Sequence, residues 1–350
     1  MSIEVPAKFL VGSMKGKGEI DLVEVDTPEP GYGQALIKLE ATAICTWEQR
    51  SFSGQQENKF PFVGGHEIIG TIVKFGPEYR GTLKVGDRVA IGASGCGACY
   101  YCVRGQDRAC KFHYDGSVDY GDAGWGPGGF AQYKVHPDDG LFLVGDAPAK
   151  YAALAEPLSC AIHSTKLAGV VLGSEVVVIG AGVMGLFNLV AAKARGARVI
   201  VSEVDAGRLA KAKELGADEI IDASKEDPIA KVFELTDGRG ADVVIAAIGH
   251  PKANEQGYAM LSEKGTFVLF ASAHPEGPLT LSPNKIHNHE HRVIGSLSSD
   301  KVDFMNAAWL IRHGNVNLEP FVQAVYPLED VKGALEEAIG VGTYRVVVEM

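Results

Sequence analysis

Cys45, His66 and Glu67 supply a thiolate, an imidazole and a carboxylate, the three side-chain types that bind Zn²⁺. They stand close in sequence, so a chain that folds back between them would let all three meet one ion. Taken alone, a buried cysteine and a histidine on a turn explain them equally well, because free cysteine is often simply core.

A second group is more specific. Cys96, Cys99, Cys102 and Cys110 form a Cys-x₂-Cys-x₂-Cys-x₇-Cys run in a glycine-containing stretch. Four thiolates at such spacing build a closed tetrahedral zinc site with Zn–S bonds of about 2.3 Å. A ferredoxin-type run needs a shorter last gap followed by proline, and here Lys111 follows Cys110. With no open position for substrate, such a site is structural.

The third group is Gly180-Ala-Gly182-Val183-Met184-Gly185, which follows the apolar run from Glu175 to Ile179 and opens a helical segment. In this pattern the first glycine permits a tight turn and the second lets the backbone approach a pyrophosphate. The third lets helix pack on strand, while the helix N-terminus offers free N–H groups to the anion. The next apolar run ends at Glu203. A carboxylate there can accept from an adenosine ribose 2′-OH and repel a 2′-phosphate, which favours NAD over NADP. Arg208, close by, argues in the other direction.

These groups need elements to position them. From Lys8 to about residue 150, short β-type runs such as Ala35–Leu39 are broken by glycine and proline, which predicts an antiparallel β domain with few helices. Beyond it, six nearly continuous apolar runs alternate with helical segments, from Glu175 to Arg292, which predicts a parallel sheet covered on both faces. A helix is expected from Lys301 to about Gly314, then a last strand from Tyr344. The length of 350 residues points to two domains. The net charge of −11 argues against nucleic-acid and anionic-membrane partners. No secretory signal or membrane-length apolar run is visible. Clustered rather than dispersed cysteines suit metal binding in a reducing cytoplasm, the expected location.

With these pieces in order, the sequence resembles the zinc-dependent medium-chain dehydrogenase/reductase family. Cys45, Gly65-His66-Glu67, the four-cysteine lobe, Glu156-Pro-Leu and the Gly180–Gly185 turn carry the resemblance over essentially the whole chain. It implies an α/β architecture, with a GroES-like β-rich catalytic domain (1–154 and 301–350) and an inserted doubly wound Rossmann domain (155–300). The active site is then expected in the cleft between them. By the same resemblance Cys45, His66, Glu67 and Glu156 surround a catalytic Zn²⁺, with Glu67 either a ligand or immediately behind one. A structural Zn²⁺ sits on the four cysteines, making two ions per chain. Gly180, Gly182, Val183, Met184, Gly185, Glu203, Arg208, Ile248, Phe270, Ala271 and Leu297 are expected around NAD. Glutamate followed by Pro-Leu is the pattern of the polyol, sugar-alcohol and threonine dehydrogenase branch. The implied reaction is reversible oxidation of a secondary alcohol to a ketone, zinc acting as Lewis acid and NAD accepting hydride. A homodimer or homotetramer is implied as well.

One departure stands out. The family usually carries Cys-x-Ser/Thr-Asp, whose hydroxyl relays the substrate proton; this chain reads Cys45-Thr46-Trp47-Glu48. An indole N–H donates but cannot relay a proton in that way. Thr46, Glu48, water or the substrate itself is left for that task, and Trp47 is read as either a wall for a sugar-like substrate or plain packing. His287, His289 and His291 alternate, which predicts one strand face, either lining a cleft or forming a solvated or subunit-contact surface. The glycine-rich run Gly121–Gly129 reads as a loop on the rim. Within the same fold a threonine- or sugar-phosphate-type dehydrogenase is the alternative. A catalytically silent binding or structural protein is the reading from another class, disfavoured by the intact Cys45, His66 and Glu156.

Overall fold

The computed structural model describes residues 4–112, 116–273, 276–340 and 342–350. The chain divides into two units, Met1–Ser159 with Asp300–Met350, and Cys160–Ser299.

In the first unit the strand Gln34–Ala43 is the centre of a seven-stranded sheet. On one side it pairs antiparallel with Glu67–Phe75, and on the other with the C-terminal strand Arg345–Glu349. Ala43 therefore lies opposite Glu67 and opposite Val347 at once. The Ile44 N–H also donates to the Val346 carbonyl at 2.9 Å. That register gathers three distant parts of the sequence at one strand end, immediately before Cys45. The apolar face beneath it holds Ile37, Leu39, Val89, Val346 and Val348, all essentially buried, and this burial fixes the register, since a slip of one residue would turn them outward.

A hairpin, Lys8–Gly16 with Glu19–Asp26, precedes the sheet. Its Met14 bonds Phe62 in both directions, N–H to carbonyl, at 2.8 and 2.9 Å. The loop Trp125–Phe130 runs beside Phe62–Gly65: Val63 N–H donates to Trp125, and Gly129 and Phe130 N–H donate to Gly64. Gly65, at φ 87°, lies so close to Gly129 that a Cβ would stand 2.8 Å from its Cα. Here glycine is needed for both conformation and space. Lys134, fully buried, donates to the Gly116 and Pro127 carbonyls and so holds this loop from behind.

The second unit carries a six-stranded parallel sheet in the order Glu219–Asp222, Arg198–Glu203, Glu175–Ile179, Ala241–Ala246, Leu261–Leu269, Arg292–Gly295. This is the doubly wound order 3-2-1-4-5-6, with the switch point between the strands ending at Ile179 and Ala246. The six expected apolar runs are these six strands, and Val176–Val178, Val199–Val201 and Val244–Ile245 are fully buried. Asp205 and Asp227 cap the following helices through the Arg208 and Ile229 N–H groups, at about 1 kcal/mol each.

Two local expectations need correction. His287, His289 and His291 do not alternate along a strand, because Pro283–Asn288 is a helix. Ser282 caps it through the Lys285 N–H and Pro283 occupies its first turn, a helix-start signal that the histidine spacing masked. His289 and His291 stack with ring centroids 5.2 Å apart, and their partners are Glu263, Tyr258 and the Ser262 carbonyl. The loop Gly121–Gly129 also contains a short pairing of Trp125–Gly126 with Val118–Asp119. Among the described residues no helix is long and apolar enough to cross a membrane.

Candidate active site

Cys45 is the N-cap of the helix Thr46–Ser53, and His66 and Glu67 come at the start of the strand Glu67–Phe75. The ligand atoms of Cys45, His66 and Glu67 all lie within 4.8 Å of one another. Glu67 is fully buried, and both its oxygens are held by Arg345: Nε donates to Oε2 at 2.9 Å and Nη2 to Oε1 at 2.6 Å. The same Nη2 stands 3.6 Å from the Cys45 sulfur. Glu67 is thus placed beside the thiol with its oxygens already engaged. Burial alone would lower the Arg345 pKa, but Glu67 and Cys45 outweigh it and hold the guanidinium above its ordinary value. Glu156, half-buried, stands outside the close trio, near enough for its charge to act on both Glu67 and Arg345.

Sequence reasoning missed Arg345. Its signal was a cation in the otherwise valine-rich run Arg345–Val348, where an ion needs a buried partner. The donor set of thiol, imidazole and carboxylates, facing a single guanidinium, leaves an excess of negative charge when ionised. That balance and the hard and soft donors together fit Zn²⁺.

Glu48 differs from its expected use. It is fully buried, accepts N–H bonds from Cys45 and Gly65 at 3.1 Å each, and lies 2.7 Å from His66 Nδ1. A carboxylate so committed is poorly placed to shuttle protons, but it orients the imidazole and leaves Nε2 for a metal. Burial works against the imidazolium, yet Glu48 and Cys45 outweigh it and hold the His66 pKa well above its usual value. Thr46, next to Cys45, is exposed. Trp47 is half-buried and packs its ring edge-on against Phe62 at 5.2 Å and against His66 at 6.0 Å. On the far side of Phe62 lies Trp125, at 5.7 Å and 44% exposed. An aromatic run therefore starts at the His66 ring and ends in solvent.

The sulfurs of Cys96, Cys99, Cys102 and Cys110 also lie within 4.8 Å of one another, and none is in a disulfide. Cys99 and Cys102 are 3.5 Å apart and Cys96 and Cys102 are 4.0 Å apart. A tetrahedron with Zn–S bonds of about 2.3 Å has edges of about 3.8 Å, so these spacings fit zinc. Backbone N–H groups of Cys96, Cys99 and Phe112 point at the sulfurs, as donors to thiolate charge would.

In the second unit Gly180 has φ 94°, and a Cβ on Gly185 would stand 1.9 Å from the Gly180 oxygen. A Cβ on Gly182 would meet nothing within 4 Å, which leaves open space before the helix Val183–Ala194. Turn, open approach and close helix contact thus fall on the three glycines in the order that a dinucleotide requires. Ile248 packs beside Gly180, and the Phe270 and Ala271 N–H groups both donate to Ala246, so these residues gather at the carboxyl ends of the strands. Leu297, 70% exposed, follows the last strand. Glu203 lies at the end of its strand, with Arg208 3.9 Å away.

Comparison with known proteins agrees with both units. The sequence matches the alcohol dehydrogenase GroES-like domain family over residues 31–146 and the zinc-binding dehydrogenase family over residues 183–312. It is 36% identical to an L-threonine 3-dehydrogenase of Pyrococcus horikoshii, covering 87% of this chain and 88% of that one. It is 35% identical to a sorbitol dehydrogenase of Halalkalibacterium halodurans, covering 92% and 93%. A structure from Sinorhizobium meliloti 1021, described as a zinc-binding dehydrogenase bound to NADP, superimposes with a TM-score of 0.87 at 26% identity, covering 99% and 100%.

Proposed function

The chain belongs to the zinc-dependent medium-chain dehydrogenase/reductase family, in its polyol and threonine dehydrogenase branch, and from that premise we propose that it oxidises a secondary alcohol of a polyol or sugar alcohol to a ketone, with NAD as hydride acceptor. That it is an alcohol-type dehydrogenase using zinc and NAD(P) follows from the family. The choice of polyol, of NAD and of two zinc ions per chain is our reading.

The observation that carries it is the trio Cys45, His66 and Glu67, gathered within 4.8 Å beside the edge of Trp47. Bound there, Zn²⁺ supplies Lewis acidity that lowers the pKa of an alcohol, and the nicotinamide supplies the hydride-accepting carbon. The protein's own part is placement. Cys45 and His66 would be donors to the ion, with Glu67 a donor or the group immediately behind them and Glu156 able to enter the fourth position. Glu48 fixes the imidazole plane through Nδ1. Arg345 fixes Glu67 and balances part of the negative charge. The substrate proton leaves through the exposed Thr46 hydroxyl or through water, because Glu48 is occupied. Trp47 offers an apolar face against which the C–H groups of a polyol can rest, while its hydroxyls turn to the donors.

The test is NADH formation across C4–C6 polyols, inositols, polyol phosphates and L-threonine. Turnover of unphosphorylated polyols supports the reading. Turnover confined to threonine or to phosphorylated polyols replaces the substrate class, and no turnover anywhere removes it.

A further inference from the structure

A cavity of about 620 Å³ opens in the first unit between the loop 78–83, the segment 138–143 and the helix Lys301–Arg312. None of the zinc donors lines it. Its volume is that of small-molecule sites, which are mostly apolar with a few placed polar groups. Here the apolar part is aromatic and already pinned. Tyr79 stacks on Phe75 with ring centroids 3.8 Å apart, and its hydroxyl accepts from the Leu83 N–H at 2.8 Å. Phe142 leans on Phe304 at 4.8 Å, and Trp309 stacks on His313 at 4.3 Å. Tyr32 is 72% exposed and Trp309 51% exposed, so each keeps ring surface open to an occupant.

The carboxylates of the wall differ in their partners. Glu78 pairs with Arg80 at 3.4 Å, and Asp139 pairs with Lys301. Asp138, half-buried, makes no ion pair or side-chain hydrogen bond among the described residues. Burial, and then the charge of Asp139, raise its pKa, as expected of a carboxylate without a counter-ion. Its own N–H donates to the Gly33 carbonyl at 3.0 Å, which sets it beside Tyr32. Burial raises the Tyr79 pKa and the Asp138 charge adds to it, so that ring too is within reach of the carboxylate. The remaining cation, Arg312, ends the helix that Lys301 begins, about 16 Å along its axis. There a Cβ on Gly145 would stand 3.3 Å from its Cγ, and about 16 Å exceeds the screening length of about 8 Å.

We propose that this cavity binds a small organic cation, with its ammonium head on Asp138 beside the Tyr32 and Tyr79 rings and its hydrocarbon body along Phe142 and Trp309. Aromatic faces attract a cation, as the carboxylate does, so the unpaired charge and the ring walls select the same ligand class. A neutral ligand would leave Asp138 without a counter-ion, and an anion would be repelled by it. The inference is independent of the alcohol oxidised and of the dinucleotide used.

The experiment is isothermal titration of the zinc-loaded protein with three probes of similar size: phenethyltrimethylammonium, neutral N-acetylphenethylamine and anionic 3-phenylpropionate. The cation is expected to bind at least about tenfold more tightly than either of the others. Asp138→Asn is expected to remove about that factor from the cation alone, and Tyr32→Ala, a change at an exposed ring, to weaken the cation severalfold. Because Asp138 and Tyr32 lie outside the zinc and dinucleotide sites, neither variant should change dehydrogenase kinetics. Equal affinity for all three probes overturns the proposal, and so does a cation that fails to bind or binds Asp138→Asn as tightly as wild type. If Asp138→Asn does not fold, Tyr32→Ala and the preference among the three probes decide.

Discussion

Arg345 closes a two-pronged ion pair on Glu67 across 278 positions of sequence, with both partners buried. The pair exists because one strand end, at Ala43, is flanked on either side by the strands that carry its two members. Removing the cation leaves a carboxylate buried without its partner, a loss of about 3–5 kcal/mol. Arg345→Met is therefore expected to lower the urea midpoint sharply and to reduce zinc content at the Cys45 site. Arg345→Lys keeps the charge but not the fork, and should fall between. Full stability and full zinc content in Arg345→Met would contradict this account.

Glu48 acts on the same site from the opposite side, through His66 Nδ1. Groups that orient a ligating histidine typically contribute 10–100-fold in metal affinity. Glu48→Ala should weaken zinc by about that factor in a chelator competition, with a smaller loss of stability from the freed Cys45 and Gly65 N–H groups. Unchanged affinity would show that the imidazole is held by packing alone.

The contrast between Glu48 and Arg345 shows what was legible in the sequence. Cys45, His66 and the cysteine lobe could be read because their chemistry lies in residue type and short spacing. The parallel sheet was legible for a similar reason, as strands buried on both faces leave continuous apolar runs such as Val176–Val178. Arg345 was not legible, since its partner is set by sheet register rather than by proximity along the chain. Glu48 was placed but given another task, because a sequence fixes where a carboxylate lies and not which N–H groups reach it. The histidines from His287 to His291 were misassigned, as their alternation competed with the Ser282-Pro283 cap and the cap prevailed.

The cysteine lobe makes a separate prediction. Cys99 and Cys102 sulfurs stand 3.5 Å apart in a cluster sized for one ion. Cys99→Ser is expected to lower the zinc content from two ions per chain to one and to destabilise the protein, because a structural zinc contributes directly to folding. Elemental analysis after dialysis measures the first effect and thermal unfolding the second. A variant that retains two ions would place the second zinc elsewhere.

His136 gives a pH dependence of known sign. Burial, reinforced by the charge of Lys134, depresses its pKa to about 3, although its Nε2–H donates to the Gly92 carbonyl at 2.8 Å. The unfolded chain, with a histidine pKa of about 6.5, takes up a proton as pH falls through that value while the folded chain does not. The stabilisation is therefore complete above about pH 6.5 and shrinks progressively as pH falls toward 3, with roughly 2 kcal/mol lost by pH 5. Urea unfolding of wild type and His136→Gln at pH 7.5 and pH 5 tests this. The variant should be less sensitive to acid by about that amount, and equal sensitivity would assign the acid response to other groups.

Trp47 is where the site departs from its family, and its surroundings sharpen what that departure does. The ring is held edge-on between Phe62 and His66, so its position is set by the core while part of its surface stays exposed to another group. Trp47→Ser removes that surface beside the donors and restores a hydroxyl of the kind the family uses for proton relay. If the indole is a substrate wall, kcat/KM should fall at least tenfold for the preferred polyol and change little for a short secondary alcohol that cannot reach it. If the indole only fills space, both substrates should respond alike and the loss should appear mainly in thermal stability, as for a truncated core aromatic. A steady-state comparison of the two alcohols, with the unfolding temperature measured alongside, separates these outcomes. Equal kinetics for both substrates would remove the wall and leave Trp47 as packing.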